Sequence, residues 1–193
     1  MRHLYAAFRG LLIKAILWIS EKQIGSKILP ASLFFRHPRL LAGSIAFEQV
    51  LWSGRLVDSS LKRLAEVRVA SLINCTLCLD TGTAFARAAG ISEEKLRQLP
   101  FYKTSPIFSE KEKLVLEYSD YMTQTPLEIP DSFRQSIQQY FSEAQIVEVS
   151  STIAMENLRS RFYHAIGLEG QGFTQGGFCV LPVSRDRKSL HDL

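Results

Sequence analysis

LKRLAEVRVASLINCTLCLDTGTAFARAAG, residues 61–90, is the stretch whose reading decides the fold. In its first half Leu61, Leu64, Ala65, Val67, Arg68 and Leu72 recur at helical spacing, and Asp58-Ser59-Ser60 supplies a helix start. Cys75 and Cys78 follow, three residues apart. Their helix continues through AFARAA to Gly90, a residue suited to a left-handed C-cap. Asn74 is a good N-cap, which puts Cys75 in the first turn and Cys78 one turn on.

A CxxC pair has three readings. A structural zinc site needs four ligands. No second CxxC exists, and only Cys179 and four histidines are left, so neither a metal nor any other cofactor is expected. Two inert core thiols are a second reading. A redox pair is the third and favoured one. At this spacing two sulfurs can join, and a helix start lowers thiol pKa because its free N–H groups favour the thiolate.

Working outward, the pattern stays helical. A helix is expected over about Arg39–Trp52, stopped by Ser53-Gly54. Ser109 with Glu112 and Ser142 with Gln145 have capping-box spacing, and Pro130-Asp131 opens a helix between them. The last helix runs to Ile166 and is closed by Gly167. No alternating strand pattern occurs before the tail, so the fold class is all-α, a helical bundle. The expected organisation is an amphipathic N-terminal helix (1–30), a helical domain (31–170) and a glycine-rich tail (171–193).

In the N-terminal segment Leu4, Ala7, Leu11, Lys14, Ala15 and Trp18 share helical spacing, while Arg9 and Lys14 break its apolar runs well short of a membrane span. It is expected to pack on its own domain or on a partner subunit, with contact to an anionic membrane surface as the alternative. Residues 1–70 hold 11 basic and 4 acidic side chains and the remainder 12 and 15. That basic excess carries no recognisable motif, so nucleic-acid binding is not expected. Three cysteines make no disulfide scaffold, which points to a reducing compartment and a cytoplasmic location.

The segment LKRLAEVRVASLINCTLCLDTGTAFARAAGISEEKL resembles the core of the carboxymuconolactone decarboxylase and alkylhydroperoxidase D superfamily. FFRHPRLLAGSIAFEQVLWSGRLVDSSLKRLAEV resembles the lead-in to that core, and YSDYMTQTPLEIPDSF and IVEVSSTIAMENLRSRFYHAIGL the helices after it. The resemblance covers about residues 34–170. It implies an all-helical bundle, a homo-oligomer, and peroxide reduction in antioxidant defence. A peroxide or small disulfide would be the substrate and an external dithiol the reductant. By resemblance Cys78 attacks and Cys75 resolves, whereas the helix-dipole argument favours Cys75 as the thiolate.

Two positions depart from the family's peroxidase pattern. Its histidine, four residues after the second cysteine, is Gly82 here, and its glutamate, twelve before the first, is Arg63. Glu66, one turn from Arg63, is the candidate surrogate base, with a solvated or ion-paired helix charge as the alternative. Asp80 would raise a neighbouring thiol pKa unless it took the proton. The last helix carries Glu148, Glu156, Asn157, Arg159, Arg161 and His164. Arg161 and His164 are candidates for holding a thiolate and shuttling a proton, against structural ion pairs and a C-terminal cap, the preferred reading.

The expectation is a CxxC-dependent thiol oxidoreductase with Cys75, Cys78, Glu66 and His164 at its site. Two alternatives stand beside it. One is a non-catalytic oligomeric module with vestigial cysteines. The other is a lyase like the superfamily's decarboxylases, which do not depend on CxxC.

Overall fold

The computed structural model describes residues 37–174 and 180. The N-terminal helix expected over 1–30 and Cys179 lie outside the described residues. The chain divides into two units, Met1–Val50 and Leu51–Leu193. The described part of the first is His37 and residues 38–50 of helix α1 (Pro38–Ser53). His37 precedes it and accepts the Leu40 N–H on Nδ1, while Pro38 takes the first helical position, where a missing N–H costs nothing.

The second unit contains α2 (Ser59–Ile73), α3 (Thr76–Ala88), α4 (Glu93–Arg97), a 3₁₀ turn (Leu99–Phe101), α5 (Glu110–Thr123), α6 (Asp131–Gln138) and α7 (Glu143–Ala165). Both expected capping boxes are present. Ser109 and Glu112 exchange side-chain and backbone hydrogen bonds at the start of α5, and Ser142 and Gln145 do so at the start of α7. Gly90 has φ +85°, the left-handed geometry expected of it. The described residues contain helices and turns and no strand, so the all-α class is what the chain adopts.

Helix α2 is the central element, packed on α3, α5 and α7. One of its stripes, Leu64, Val67 and Ala70, joins Leu77, Leu79, Ala86, Leu96, Leu99 and Tyr102 in a core cluster that also contains both cysteines. The other, Leu61, Ala65 and Val69, meets Val115, Phe133, Ile137, Phe141, Val149 and Ile153. A helix used on both faces has no solvent side for its charges. Lys62, Glu66 and Arg68 are all buried, and each has an opposite charge from a partner element. Lys62 meets Glu148 at 2.7 Å and donates to the Leu51 and Gly54 carbonyls. Arg68 meets Asp120 at 2.6 Å, and Asp120 also accepts the Tyr102 hydroxyl. Glu66 is held by Arg63 and Arg159.

The junction between α2 and α3 corrects one expectation. Asn74 is not the N-cap of the cysteine helix. It is the C-cap of α2, in the left-handed conformation at φ 64° that asparagine tolerates. Cys75 is therefore the N-cap of α3 rather than a first-turn residue. The polar side chain that suits one helix start also suits a helix end, and two helices only a residue or two apart compete for it. Among the described residues no helix is long and apolar enough to cross a membrane.

Candidate active site

The site begins with the backbone at the start of α3. A helix leaves its first N–H groups without partners, and an N-cap side chain normally accepts one of them. Here the acceptor is sulfur: Cys75 Sγ takes the Cys78 N–H at 3.3 Å. The spacing then brings the two sulfurs to 2.6 Å. Both are free thiols, fully buried at Cys75 and 6% exposed at Cys78. The shared proton belongs with Cys78, because Cys75 Sγ already receives an N–H and stands at the positive end of a helix. The hydrogen bond from Cys78 holds the Cys75 thiol below its ordinary value despite burial. Donating that bond, together with burial and the nearby Glu156 charge, pushes Cys78 far up.

Helix α7 supplies the wall behind the sulfurs. Glu156 and Ser160 are buried, and the Ser160 hydroxyl donates to Glu156 Oε1 at 2.6 Å. Arg159 bridges Glu156 and Glu66. Burial, more than any neighbour, pushes the Glu156 carboxyl up, and the Glu66 charge adds to it. A continuous polar chain therefore runs Arg63–Glu66–Arg159–Glu156–Ser160.

Of the residues expected at the site, the structure brings Cys75 and Cys78 together. Glu66 sits at the far end of the chain, with one carboxylate oxygen on Arg63 and the other on Arg159. His164 is exposed in the last turn of α7, and Arg161 donates to the Thr123 carbonyl. Glu156 was legible as one of six polar residues on α7 and, with Asn157, as a break in its apolar face. Its signal was the interruption of an apolar run by an acid four residues before a serine.

Gly82 stands where the family's peroxidases place histidine. A Cβ there would lie 3.3 Å from Val67 Cγ2, so α3 approaches α2 more closely than most side chains permit. Arg63, in the glutamate's place, stacks on the Trp52 ring at 3.5 Å to its centroid and pairs with Glu66.

Asp80 belongs to a different device. Its carboxylate accepts the N–H groups of Gln171, Phe173 and Thr174 and the Thr174 hydroxyl. Gly170 N donates to Thr76 Oγ1 and Val180 N to Thr83 Oγ1, so residues 170–174 form a strap along the cysteine helix, and Val180 also meets it. Burial would raise the Asp80 carboxyl, yet the three N–H groups and the hydroxyl outweigh it and hold it below the usual carboxylate range. The clamp is therefore fully present above the unfolded carboxylate pKa of about 3.9 and is lost as pH falls through the lower folded value. Asp80→Asn is expected to free residues 170–174 at neutral pH, read as faster amide exchange at Gln171, Phe173 and Thr174 and faster alkylation of the buried thiols. Unchanged exchange in the variant would remove Asp80 from this role.

The geometry defines a class: an all-helical protein with a CxxC pair at a helix start, closed on one side by a long C-terminal helix. The sequence pattern of the carboxymuconolactone decarboxylase family matches residues 38–120. That stretch of the chain is similar to the family. The uncharacterized protein YnjA of Escherichia coli (strain K12) is 27% identical over 179 residues, which are 91% of this chain and 94% of that protein. An uncharacterized peroxidase-related protein from Ralstonia eutropha JMP134, an alkylhydroperoxidase AhpD core, superposes with a TM-score of 0.72 at 13% identity, covering 82% of this chain and 85% of that one. The debrominase Bmp8 superposes with a TM-score of 0.75 at 15% identity, covering 85% and 88%. At these identities the two structural likenesses are of fold. Among the described residues no group of three or more His, Cys, Asp or Glu is placed to hold a metal ion.

Proposed function

We propose that the protein is a CxxC-dependent thiol oxidoreductase that reduces hydroperoxides. The observation that carries this is the sulfur pair, 2.6 Å apart at a helix N-terminus. Small side-chain motion converts that spacing to an S–S bond of about 2.05 Å. The electrostatics favour Cys75 as the attacking thiolate, the reverse of the roles the resemblance implies. Cys75 S⁻ attacks the terminal oxygen of the hydroperoxide. The O–O bond breaks, the alkoxide leaves and is protonated, and Cys75 becomes a sulfenic acid. The Cys78 sulfur then displaces water to form the disulfide, and an external dithiol returns two electrons and two protons. A thiol count of the reduced chain should fall by two on hydroperoxide addition, with mass mapping linking Cys75 to Cys78 and leaving Cys179 free. If all three thiols survive, the reading fails in favour of a structural module.

The protein is further proposed to act as a homo-oligomer. Val147, Ala154, Leu158, Phe162 and Ile166 form an exposed apolar stripe along α7, of the kind that subunit contact covers. Light scattering should give a multiple of the 21.8 kDa chain mass; a monomer at micromolar concentration would count against it.

A further inference from the structure

Helix α6 is short, and its two buried side chains, Phe133 and Ile137, join the Leu61, Ala65 and Val69 stripe of α2. The cysteines belong to the cluster on the other stripe. Phe133 and Ile137 do not fill all the space between α5, α6 and α7. A cavity of about 190 Å³ lies there, walled by Tyr118 of α5, by Ile129, Phe133 and Ile137 before and on α6, and by Ile146 of α7. Phe133 is held out of it by two rings. Tyr118 lies against it at 5.7 Å between centroids, and Tyr121 meets it edge-on at 4.9 Å. Tyr118 is fixed in turn. The Ser150 hydroxyl donates to the Ile146 carbonyl at 2.6 Å, so Tyr118 is the donor in its 2.8 Å bond to Ser150. These contacts tie two walls of the cavity to each other and keep it from collapsing.

The lining decides what fits. Three isoleucines and two aromatic rings suit a flat apolar group. An apolar cavity of about 150 Å³ takes a benzene ring, so this one has room for a ring with a substituent. The mouth is polar. Arg134 and Gln138 line it, four residues apart on α6 and therefore neighbours on its surface. A guanidinium beside an amide matches a carboxylate, which accepts two parallel N–H bonds from arginine. Arg134 pairs with Asp131 at 2.7 Å, but the two side chains are 57% and 89% exposed. An exposed pair of that kind contributes little, so a carboxylate anchored by an apolar ring can replace Asp131 on the guanidinium.

We propose that this cavity binds a small aromatic carboxylate, with the ring among Tyr118, Ile137 and Ile146 and the carboxylate on Arg134 and Gln138. The site is separate from the sulfur pair and does not depend on the thiol reading.

The test titrates the full chain, labelled at its isoleucine δ1 methyls, with para-methylbenzoate and follows the methyl resonances. Ring currents should shift Ile129, Ile137 and Ile146 and leave Ile91 and Ile107, at the cysteine cluster, in place. Half-saturation is expected near 1 mM, an order-of-magnitude value of roughly the size such a small ligand reaches. The para-methylbenzamide, alike in shape but uncharged, should bind about tenfold more weakly. The para-methylbenzylamine, repelled by Arg134, should bind no better than the amide. Arg134→Gln, at an exposed position, should bring the acid down to the amide's affinity. Ile146→Phe should fill the cavity and abolish the shifts. The proposal is overturned by unshifted Ile129, Ile137 and Ile146 methyls at about 10 mM acid, or by equal affinity for acid, amide and amine. Undiminished binding to Ile146→Phe would overturn it as well. Should that variant fail to fold, the wild-type and Arg134→Gln titrations decide by themselves.

Discussion

Cys78→Ser is expected to arrest at a sulfenic acid on Cys75, with hydroperoxide turnover falling to background. The N–H of residue 78 still caps the Cys75 sulfur in this variant, and a serine hydroxyl still donates to it, so the thiolate survives while the resolving thiol is gone. Cys75→Ser removes the sulfur that the helix start stabilises, and Cys78 then keeps its proton. A sulfenic-acid trap such as dimedone, followed by mass mapping, separates the two. Label on Cys75 in Cys78→Ser, with none on Cys78 in Cys75→Ser, is the expected pattern. The opposite pattern would restore the roles that the family resemblance implies. Both substitutions remove a small buried side chain in favour of a hydroxyl, and circular dichroism should show the helical content unchanged.

The largest effect on stability is expected at Arg159. Its guanidinium is the cation that Glu66 and Glu156 share, and both carboxylates are buried. Arg159→Met leaves two like charges together with one cation fewer, and breaking a buried pair in this way costs about 3–5 kcal/mol. For a chain of this size that lowers Tm by roughly 10 °C. The sign of the pH dependence follows from the same charges. Burial already raises the Glu156 carboxyl above its unfolded value and losing Arg159 raises it further, so the penalty is full at neutral pH and shrinks as acid protonates it. Urea titrations should therefore give a larger difference from wild type at pH 7 than near the carboxylate pKa of about 4.3. A difference that does not change with pH would mean that Arg159 acts by packing alone. The third buried pair, Lys62 with Glu148, is a useful reference because it lies in a separate network.

Most of the architecture was legible in residues 61–90 and the caps around them. Two capping boxes, the glycine after the cysteine helix and the 3.6-residue spacing of Leu61, Leu64, Ala65 and Val67 are local signals, and local hydrogen bonding enforces them. The CxxC pair was equally legible, because three residues along a helix start is a distance that backbone geometry fixes. Asn74 was read the wrong way round because a left-handed C-cap and an N-cap favour the same short polar side chain.

The proton chemistry was not legible. Glu66 is the glutamate nearest to the cysteines along the chain, yet two arginines occupy its oxygens. Glu156 is 78 residues from Cys78 in sequence, and its charge acts on the sulfurs because α7 packs on α2 and α3. The strap was hidden for the same reason, since Asp80 finds its partners about 90 residues on, in a glycine-rich segment without periodicity.

The sequence by itself thus determined the helices, their ends, and the meeting of two sulfurs at the start of one of them. These depend on hydrogen bonds and side-chain spacing within a few residues. Only the tertiary structure decided which acid faces the sulfurs and which is neutralised. A buried charge takes its properties from whatever the packing of distant helices sets beside it, and in this fold three helices meet around α2, with no solvent to make every carboxylate alike.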